Sequence, residues 1–172
     1  VNNNDAVDEQ VKNKIFWMKD NLSGYKAGTK YSDPRGSLCR GFANDIYTRL
    51  FPNVSPLGGY TNDNFGATTY TGSYKVGRLT GFGTNEAEKV KAFFASAKPG
   101  YFIQMGARER TKKGDPKPHS AIFAGFYQGG CYFYEANVPS GNIIGLNPYT
   151  WEKLAMRKLG FTMYAPNNYS LK

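Results

Sequence analysis

The order in which hydrophobic patterns follow one another constrains the fold of this chain more than any other feature. Apolar residues recur at helical spacing up to Ala97, whereas short runs typical of strands dominate from Tyr101 onward. Helices are predicted at residues 5–22, 38–51, 86–97 and 150–155, and strands at residues 101–105, 120–127, 131–136, 142–146 and 161–164. Helices followed by antiparallel strands indicate the α+β class, with N-terminal helices packed on a mostly antiparallel sheet. The 172 residues contain no internal repeat or linker, so one domain over residues 1–172 is predicted.

The clearest helical pattern begins beside a cysteine. Apolar residues step forward by four over residues 38–51, which makes one broad apolar stripe. Ser37 precedes this stripe as a predicted N-cap, and Pro52 follows it as a stop. This register places Cys39 in the first helical turn, with its side chain directed toward the interior.

The residues on either side of the next helix are less regular. Residues 52–83 are rich in Gly, Thr, Tyr and Asn, and they are predicted to form a long irregular segment with at most a short hairpin. A segment of this length in a small domain is usually functional or mobile. Asn85 is the predicted N-cap of the following helix, and Glu88 completes a capping box.

Charge and composition narrow the function classes. The chain has 22 Lys and Arg against 13 Asp and Glu, a formal net charge of +9, which favours association with polyanions such as nucleic acid, anionic lipid or an acidic cell wall. The basic residues are scattered except in the run 108–113, which is predicted to be a solvated loop. The absence of a zinc-ligand cluster or helix-turn-helix signature argues against nucleic-acid binding. The 13 Tyr and 12 Phe predict an aromatic core, and the composition favours a secreted or cell-surface protein.

The few cysteines and histidines limit the possible cofactors. Cys39 and Cys131 could form one disulfide, but with a single His the chain has too few ligands for structural zinc, so no metal and no cofactor is expected. The apolar runs are too short for a transmembrane helix. The sequence begins at Val1 without the basic and apolar regions of a signal peptide, so either the chain is cytosolic or a leader has been removed. The composition favours a removed leader.

A hairpin around residues 128–130 predicts which side chains share a face of the sheet. If these three residues form the loop, Gly130 takes the left-handed conformation that such loops favour, and Phe123 faces Glu135. Because strand side chains alternate, His119, Glu135 and Asn137 then project from one face. A two-residue loop would move His119 to the opposite face.

These residues supply the groups of a thiol-dependent hydrolysis. A helix N-terminus and a neighbouring imidazolium both lower the pKa of a thiol, and the thiolate attacks carbonyl carbon. A carboxylate or amide beyond the imidazole fixes its orientation. We therefore predict Cys39, His119, Glu135 and Asn137 to be catalytic. Cys131, which directly follows the glycine turn, is expected to be exposed or on an edge and is assigned no chemistry.

The order of these segments resembles the CHAP family (cysteine, histidine-dependent amidohydrolase/peptidase), a branch of the papain-like superfamily. The matching segments are residues 36–43, 98–102, 119–122 and 134–137. The resemblance implies a papain-like core, Cys39 as nucleophile with its backbone N–H in the oxyanion hole, and His119 as general base and acid. It also implies that Glu135 and Asn137 orient the imidazole.

The chain also departs from the family pattern. Pro118 stands before the histidine, where CHAP domains often have glycine, and the acidic loop with which some members bind calcium is absent from the sequence. The segments 52–83 and 108–118 match nothing in the family pattern and would rim the cleft, which leaves the substrate the least defined part of the prediction.

The favoured function is a secreted bacterial cysteine hydrolase that cleaves amide or peptide bonds, with peptidoglycan as substrate and an anionic cell-wall polymer as a second partner. A protease or toxin effector acting on proteins is an alternative with the same chemistry. A non-catalytic, cell-surface glycan-binding module is an alternative of a different class, in which Cys39 and Cys131 form a disulfide. The state of the two thiols distinguishes the last alternative from the enzymes.

Overall fold

The fold combines helices with one antiparallel sheet. A computed structural model describes residues 3–34, 38–58, 69–80, 86–106, 118–137, 141–157 and 159–172. Within these ranges the elements follow in the order α1 (Asn3–Asn21), α2 (Cys39–Leu50), β1 (Ser73–Leu79), α3 (Glu86–Phe94), β2 (Phe102–Met105), β3 (His119–Tyr127), β4 (Gly130–Asn137), β5 (Ile143–Thr150), α4 (Trp151–Ala155) and β6 (Phe161–Pro166). The predicted α+β class is confirmed.

The sheet has the strand order β1-β6-β2-β3-β4-β5, and every neighbouring pair is antiparallel. The C-terminal strand β6 inserts between β1 and β2, so the strands do not follow one another as a simple meander. The prediction that residues 52–83 are irregular is wrong for β1, which pairs with β6 at the edge of the sheet. None of its residues is buried, and a strand without a buried face has little hydrophobic signal. Residues 59–68 and 81–83 lie outside the described ranges.

Helices pack on both faces of the sheet. One cluster of buried residues joins α1 and α2 to the sheet, and Phe42 meets Tyr134 there with ring centroids 4.9 Å apart. A second cluster joins α3 and α4 to the opposite face, where Phe94 meets Phe161 at 5.3 Å. Edge-to-face contacts of this kind add to the free energy gained by burying the rings. The predicted aromatic core is therefore present on both sides of the sheet.

Helix ends lie within three residues of the predicted ones, and the largest difference is at α3, which ends at Phe94 rather than at Ala97. α2 begins at Cys39 and ends at Leu50, and no side chain caps its N-terminus at Leu38. The predicted caps Ser37 and Asn85 lie outside the described residues. Thr150 caps α4 by accepting a hydrogen bond from the backbone N–H of Lys153 at 3.1 Å. None of the helices in the described ranges combines the length and apolar character needed to cross a membrane.

The hairpin between β3 and β4 differs from the prediction. Its loop has two residues, because Tyr127 pairs with Gly130, and Gly129 rather than Gly130 takes the left-handed conformation, with φ of 96°. Gly130 is required for another reason: a Cβ atom there would lie 1.9 Å from the backbone oxygen of Tyr149 on β5. The predicted three-residue loop is wrong.

A β-bulge compensates for the shorter loop. The register shifts between Phe123 and Gly125, and beyond the shift Phe123 pairs with Phe133. The extra residue in β3 reverses the change of face that a two-residue loop alone would cause. His119 and Glu135 therefore lie on the same face, as predicted. The pairing differs from the prediction, because Phe123 pairs with Phe133 rather than with Glu135.

Candidate active site

The start of α2 and the start of β3 bring a thiol and an imidazole together. α2 packs against β3 and β4, which places its N-terminal end beside the first residues of β3. The half-buried Cys39 is the first residue of α2, and its thiol hydrogen-bonds to the side chain of His119, the first residue of β3. Eighty positions separate these two residues in the sequence, so the contact depends on the tertiary fold.

The surroundings of Cys39 favour its thiolate. Burial of the thiol opposes ionisation, but the hydrogen bond and charge of His119 outweigh it, together with backbone hydrogen bonds from Ser120 and Arg40. The net effect lowers the pKa of Cys39 below its ordinary value. The position in the first turn acts in the same direction, because the helix N-terminus carries partial positive charge.

His119 is bound on both sides of its ring. Its Nε2 atom lies 2.7 Å from Oε1 of Glu135, which leaves Nδ1, the other ring nitrogen, to face the Cys39 thiol. Burial disfavours the charged imidazole, but the hydrogen bonds to Cys39 and Glu135 outweigh burial and raise the pKa of His119 to about 9. The imidazole is therefore protonated at neutral pH, beside a thiol whose pKa is lowered.

Glu135 is a fully buried carboxylate whose two oxygens are both bonded. Oε1 faces His119, while Oε2 accepts hydrogen bonds from Nδ2 of Asn147 at 2.8 Å and from the hydroxyl of Tyr149 at 2.5 Å. Burial opposes ionisation, but the bond to His119 and these two donors outweigh it and lower the pKa of Glu135. A buried carboxylate needs such partners, since an unpaired one would be neutralised.

The sequence analysis missed Asn147 and Tyr149 because the strand that carries them was predicted to end at Leu146. β5 continues to Thr150 through Pro148, which an edge strand tolerates because one side of its backbone makes no ladder bonds. Asn147 pairs with Phe133 and Tyr149 with Cys131, which places both side chains on the sheet face that carries Glu135. The alternation of side chains along β4 and β5 was the signal available in the sequence.

A glycine makes room for the Asn147 side chain. A Cβ atom at Gly145 would lie 2.6 Å from Oδ1 of Asn147. Gly145 pairs with Glu135 across the β4–β5 ladder, so it lies directly beside the carboxylate. The absence of a side chain at Gly145 thus leaves the space in which the Asn147 amide reaches Oε2 of Glu135.

Arg157, which follows α4, adds a second cation to the site. Its Nη1 atom donates to the backbone oxygen of Gly106 at 3.3 Å. Burial lowers the pKa of Arg157, and the charges of Tyr149, Glu135 and Cys39 act in the opposite direction. Two cations, Arg157 and protonated His119, therefore accompany two acidic groups, Cys39 and Glu135, whose pKa values are lowered. The sequence analysis did not single out Arg157.

The remaining predicted site residue and the second cysteine lie on the same two strands. Asn137 is the half-buried last residue of β4, and its predicted role in orienting the imidazole stays a prediction, since Glu135 is the residue bonded to His119. Cys131 was expected to be exposed or on an edge; this is wrong, because it is fully buried on β4, between β3 and β5. Burial raises the pKa of its thiol. Cys39 and Cys131 are both free thiols, so the disulfide of the glycan-binding alternative is not present.

The arrangement defines what the site can do chemically. A thiolate beside an imidazolium can attack an electrophilic carbon, and the imidazolium can then protonate a leaving group. Within the described ranges, no three His, Cys, Asp or Glu side chains come together in a way that could hold a metal ion. The thiol, imidazole and carboxylate are groups of nucleophilic and acid–base chemistry.

Comparison with known proteins adds no further identification. No protein-family model, no curated protein and no solved structure matches this chain. A function for the site must therefore be argued from its geometry and from the order of its residues in the sequence.

Proposed function

We propose that this protein is a cysteine hydrolase that cleaves an amide or peptide bond, with bacterial peptidoglycan as its substrate. The observation that carries the proposal is the position of the chain's one histidine. His119 contacts a thiol at a helix N-terminus on one side and a buried carboxylate, Glu135, on the other. A structural histidine needs neither partner, whereas a nucleophile–base pair needs both.

The proposed reaction has two steps. The Cys39 thiolate attacks the carbonyl carbon, the carbon–nitrogen bond breaks, and the leaving amine takes the proton of His119. A water molecule then attacks the resulting thioester and gives a proton to His119, which releases the carboxylic acid and restores the thiolate–imidazolium pair. Asn137 is proposed to assist Glu135 in orienting the ring.

The developing negative charge on the carbonyl oxygen needs a donor. As the first residue of α2, Cys39 has a backbone N–H without an acceptor inside the helix. We assign this N–H to the oxyanion hole, where the helix dipole adds to its effect.

The fold and location form part of the same proposal. The order of the thiol, the histidine and the Glu-x-Asn segment supports a papain-like core of the CHAP type. The formal net charge of +9 supports a secreted protein that is retained at an anionic cell wall.

The test is digestion of purified peptidoglycan and, separately, of casein, with mass spectrometry of the products. We expect the wild type to release peptidoglycan fragments with new amino and carboxyl termini. Cys39→Ala should release none, while Cys131→Ala, the same change at the buried thiol, should retain activity. Cleavage of casein alone would replace the proposal with a protein-directed protease or toxin effector. Activity in Cys39→Ala would refute a thiol mechanism.

A further inference from the structure

A basic cavity lies away from the catalytic cluster. It has a volume of about 380 Å³ and is lined by Lys14, Trp17, Met18, Leu22, Arg49 and Lys172; we call it the basic pocket. Arg49 follows Cys39 by ten residues in α2, which corresponds to a rise of roughly 15 Å along the helix axis. The pocket is therefore a separate feature from the thiol site.

Two of its cations are held by neutral groups. The Lys14 ammonium lies 4.5 Å from the ring centroid of Trp17, and the Lys172 ammonium donates to the backbone oxygen of Thr48 at 3.3 Å. None of the six described residues that line the pocket is Asp or Glu. The side chains that line the pocket thus carry three positive charges and no negative charge.

The third cation is oriented by a tyrosine. The guanidinium of Arg49 lies 4.8 Å from the ring centroid of Tyr25, and its Nη2 atom donates to the Tyr25 hydroxyl at 3.3 Å. That hydroxyl donates in turn to Oδ2 of Asp45 at 3.0 Å, so a phenol links the guanidinium to this carboxylate. These contacts fix Arg49 before any ligand arrives, which reduces the entropy lost on binding.

The cations come from three separate segments. Lys14 belongs to α1, Arg49 to α2 and Lys172 to the C-terminal segment. A tetrahedral anion with several acceptor oxygens can bind cations from three segments at once, whereas a planar carboxylate offers two oxygens in one plane. Trp17, which is 48% exposed, adds an apolar surface beside the charges.

We propose that the basic pocket binds a phosphate group of a polyanion with carbon-based repeat units, such as a phosphodiester-linked cell-wall polymer. Lys14 and Arg49 contact the phosphate oxygens, and Trp17 packs against the adjoining carbon atoms. The site does not depend on the hydrolase activity, because it uses none of the residues of the catalytic cluster.

The test compares binding of a short poly(glycerol phosphate) and of poly-γ-glutamate with a similar number of charges. Isothermal titration calorimetry gives the affinities, and the indole N–H signal of Trp17 in NMR spectra locates the contact. The double variant Lys14→Gln/Arg49→Gln removes two pocket cations. Lys30→Gln/Lys91→Gln removes two exposed cations elsewhere, so each double variant lowers the net charge of +9 by two.

We expect the pocket variant to bind poly(glycerol phosphate) about tenfold or more weakly, and the control to bind like the wild type. The Trp17 signal should shift on binding in the wild type and the control. Lys14→Arg, which keeps the charge, should retain binding. Equal loss in both double variants would show that only net charge matters and would overturn the proposal. Equal or tighter binding of poly-γ-glutamate would overturn the choice of phosphate.

Discussion

The Nε2 atom of His119 lies 2.7 Å from Oε1 of Glu135, and the two side chains are only 7% and 0% exposed. Solvent therefore screens this ion pair much less than it would screen a pair on the surface. The protonated ring in turn stabilises the thiolate of Cys39. The ionisation of the nucleophile thus depends on a carboxylate that it does not touch in any described contact.

The first prediction concerns the pH range in which the thiolate–imidazolium pair exists. Hydrolysis should fall at low pH as the Cys39 thiolate is protonated, and at high pH as His119 loses its proton near pH 9. Because His119 is the only histidine, its imidazole signals in NMR spectra need no assignment. They should titrate near pH 9 rather than near the ordinary value of about 6.5.

Alkylation provides the matching measurement for the thiol. Iodoacetamide should modify Cys39 readily at neutral pH and leave Cys131 unmodified, because Cys131 is fully buried and its pKa is raised. In His119→Ala the rate at Cys39 should fall, since the groups that lower its pKa are lost. An unchanged rate in that variant, or an imidazole that titrates near 6.5, would contradict the ion pair.

The second prediction separates the two residues expected to orient the imidazole. Glu135→Gln keeps the shape of the side chain but removes its charge, so the pKa of His119 should fall and hydrolysis should decrease by about 100-fold or more. Asn137→Ala should reduce hydrolysis less, because Oε1 of Glu135 is the atom bonded to His119. Equal or greater loss in Asn137→Ala would make Asn137 the principal orienting residue.

Much of this site follows from local patterns. The stripe of α2 placed Cys39 in the first turn, and alternation placed His119 and Glu135 on one face. The shared face of His119 and Glu135 was predicted correctly from a loop of the wrong length. The bulge between Phe123 and Gly125 adds the residue by which the observed turn is shorter than the predicted one. Gly125 was the signal available in the sequence, because a glycine inside a strand often marks a bulge, and Gly125 takes a φ of 145° at the register shift.

The rest of the site depends on contacts that local patterns do not encode. Tyr149 and Asn147 follow the predicted end of a strand, and Pro148 between them would be unsuitable in a central strand. β5 can contain Pro148 because it lies at the edge of the sheet, and only the complete strand order reveals this position. β1 was missed for a related reason, because an exposed edge strand needs no apolar alternation.

The third prediction tests the donors that hold Glu135. Tyr149→Phe removes one of the two hydrogen bonds to Oε2 and leaves the bond from Asn147. Because the Tyr149 hydroxyl helps to lower the pKa of Glu135, the variant should raise that pKa. The acid limb of the alkylation profile, which is the fall in the rate of Cys39 alkylation toward low pH, should then move to higher pH. A lost hydrogen bond to a charged group is worth about 1.5–3 kcal/mol, so hydrolysis should fall by roughly ten- to a hundredfold.

Tyr132→Phe is the matched control for Tyr149→Phe. Tyr132 lies on β4, where its alternation places it on the sheet face opposite Glu135, and it pairs with Pro148. Removing its hydroxyl should leave the alkylation profile and the hydrolysis rate as in the wild type.

Gly145→Ala tests the other donor to Glu135, because the added methyl group displaces the Asn147 amide from Oε2. It should shift the acid limb in the same direction as Tyr149→Phe. If both variants lower thermal stability but leave the acid limb in place, Asn147 and Tyr149 serve the packing of β5 alone and do not set the charge of Glu135.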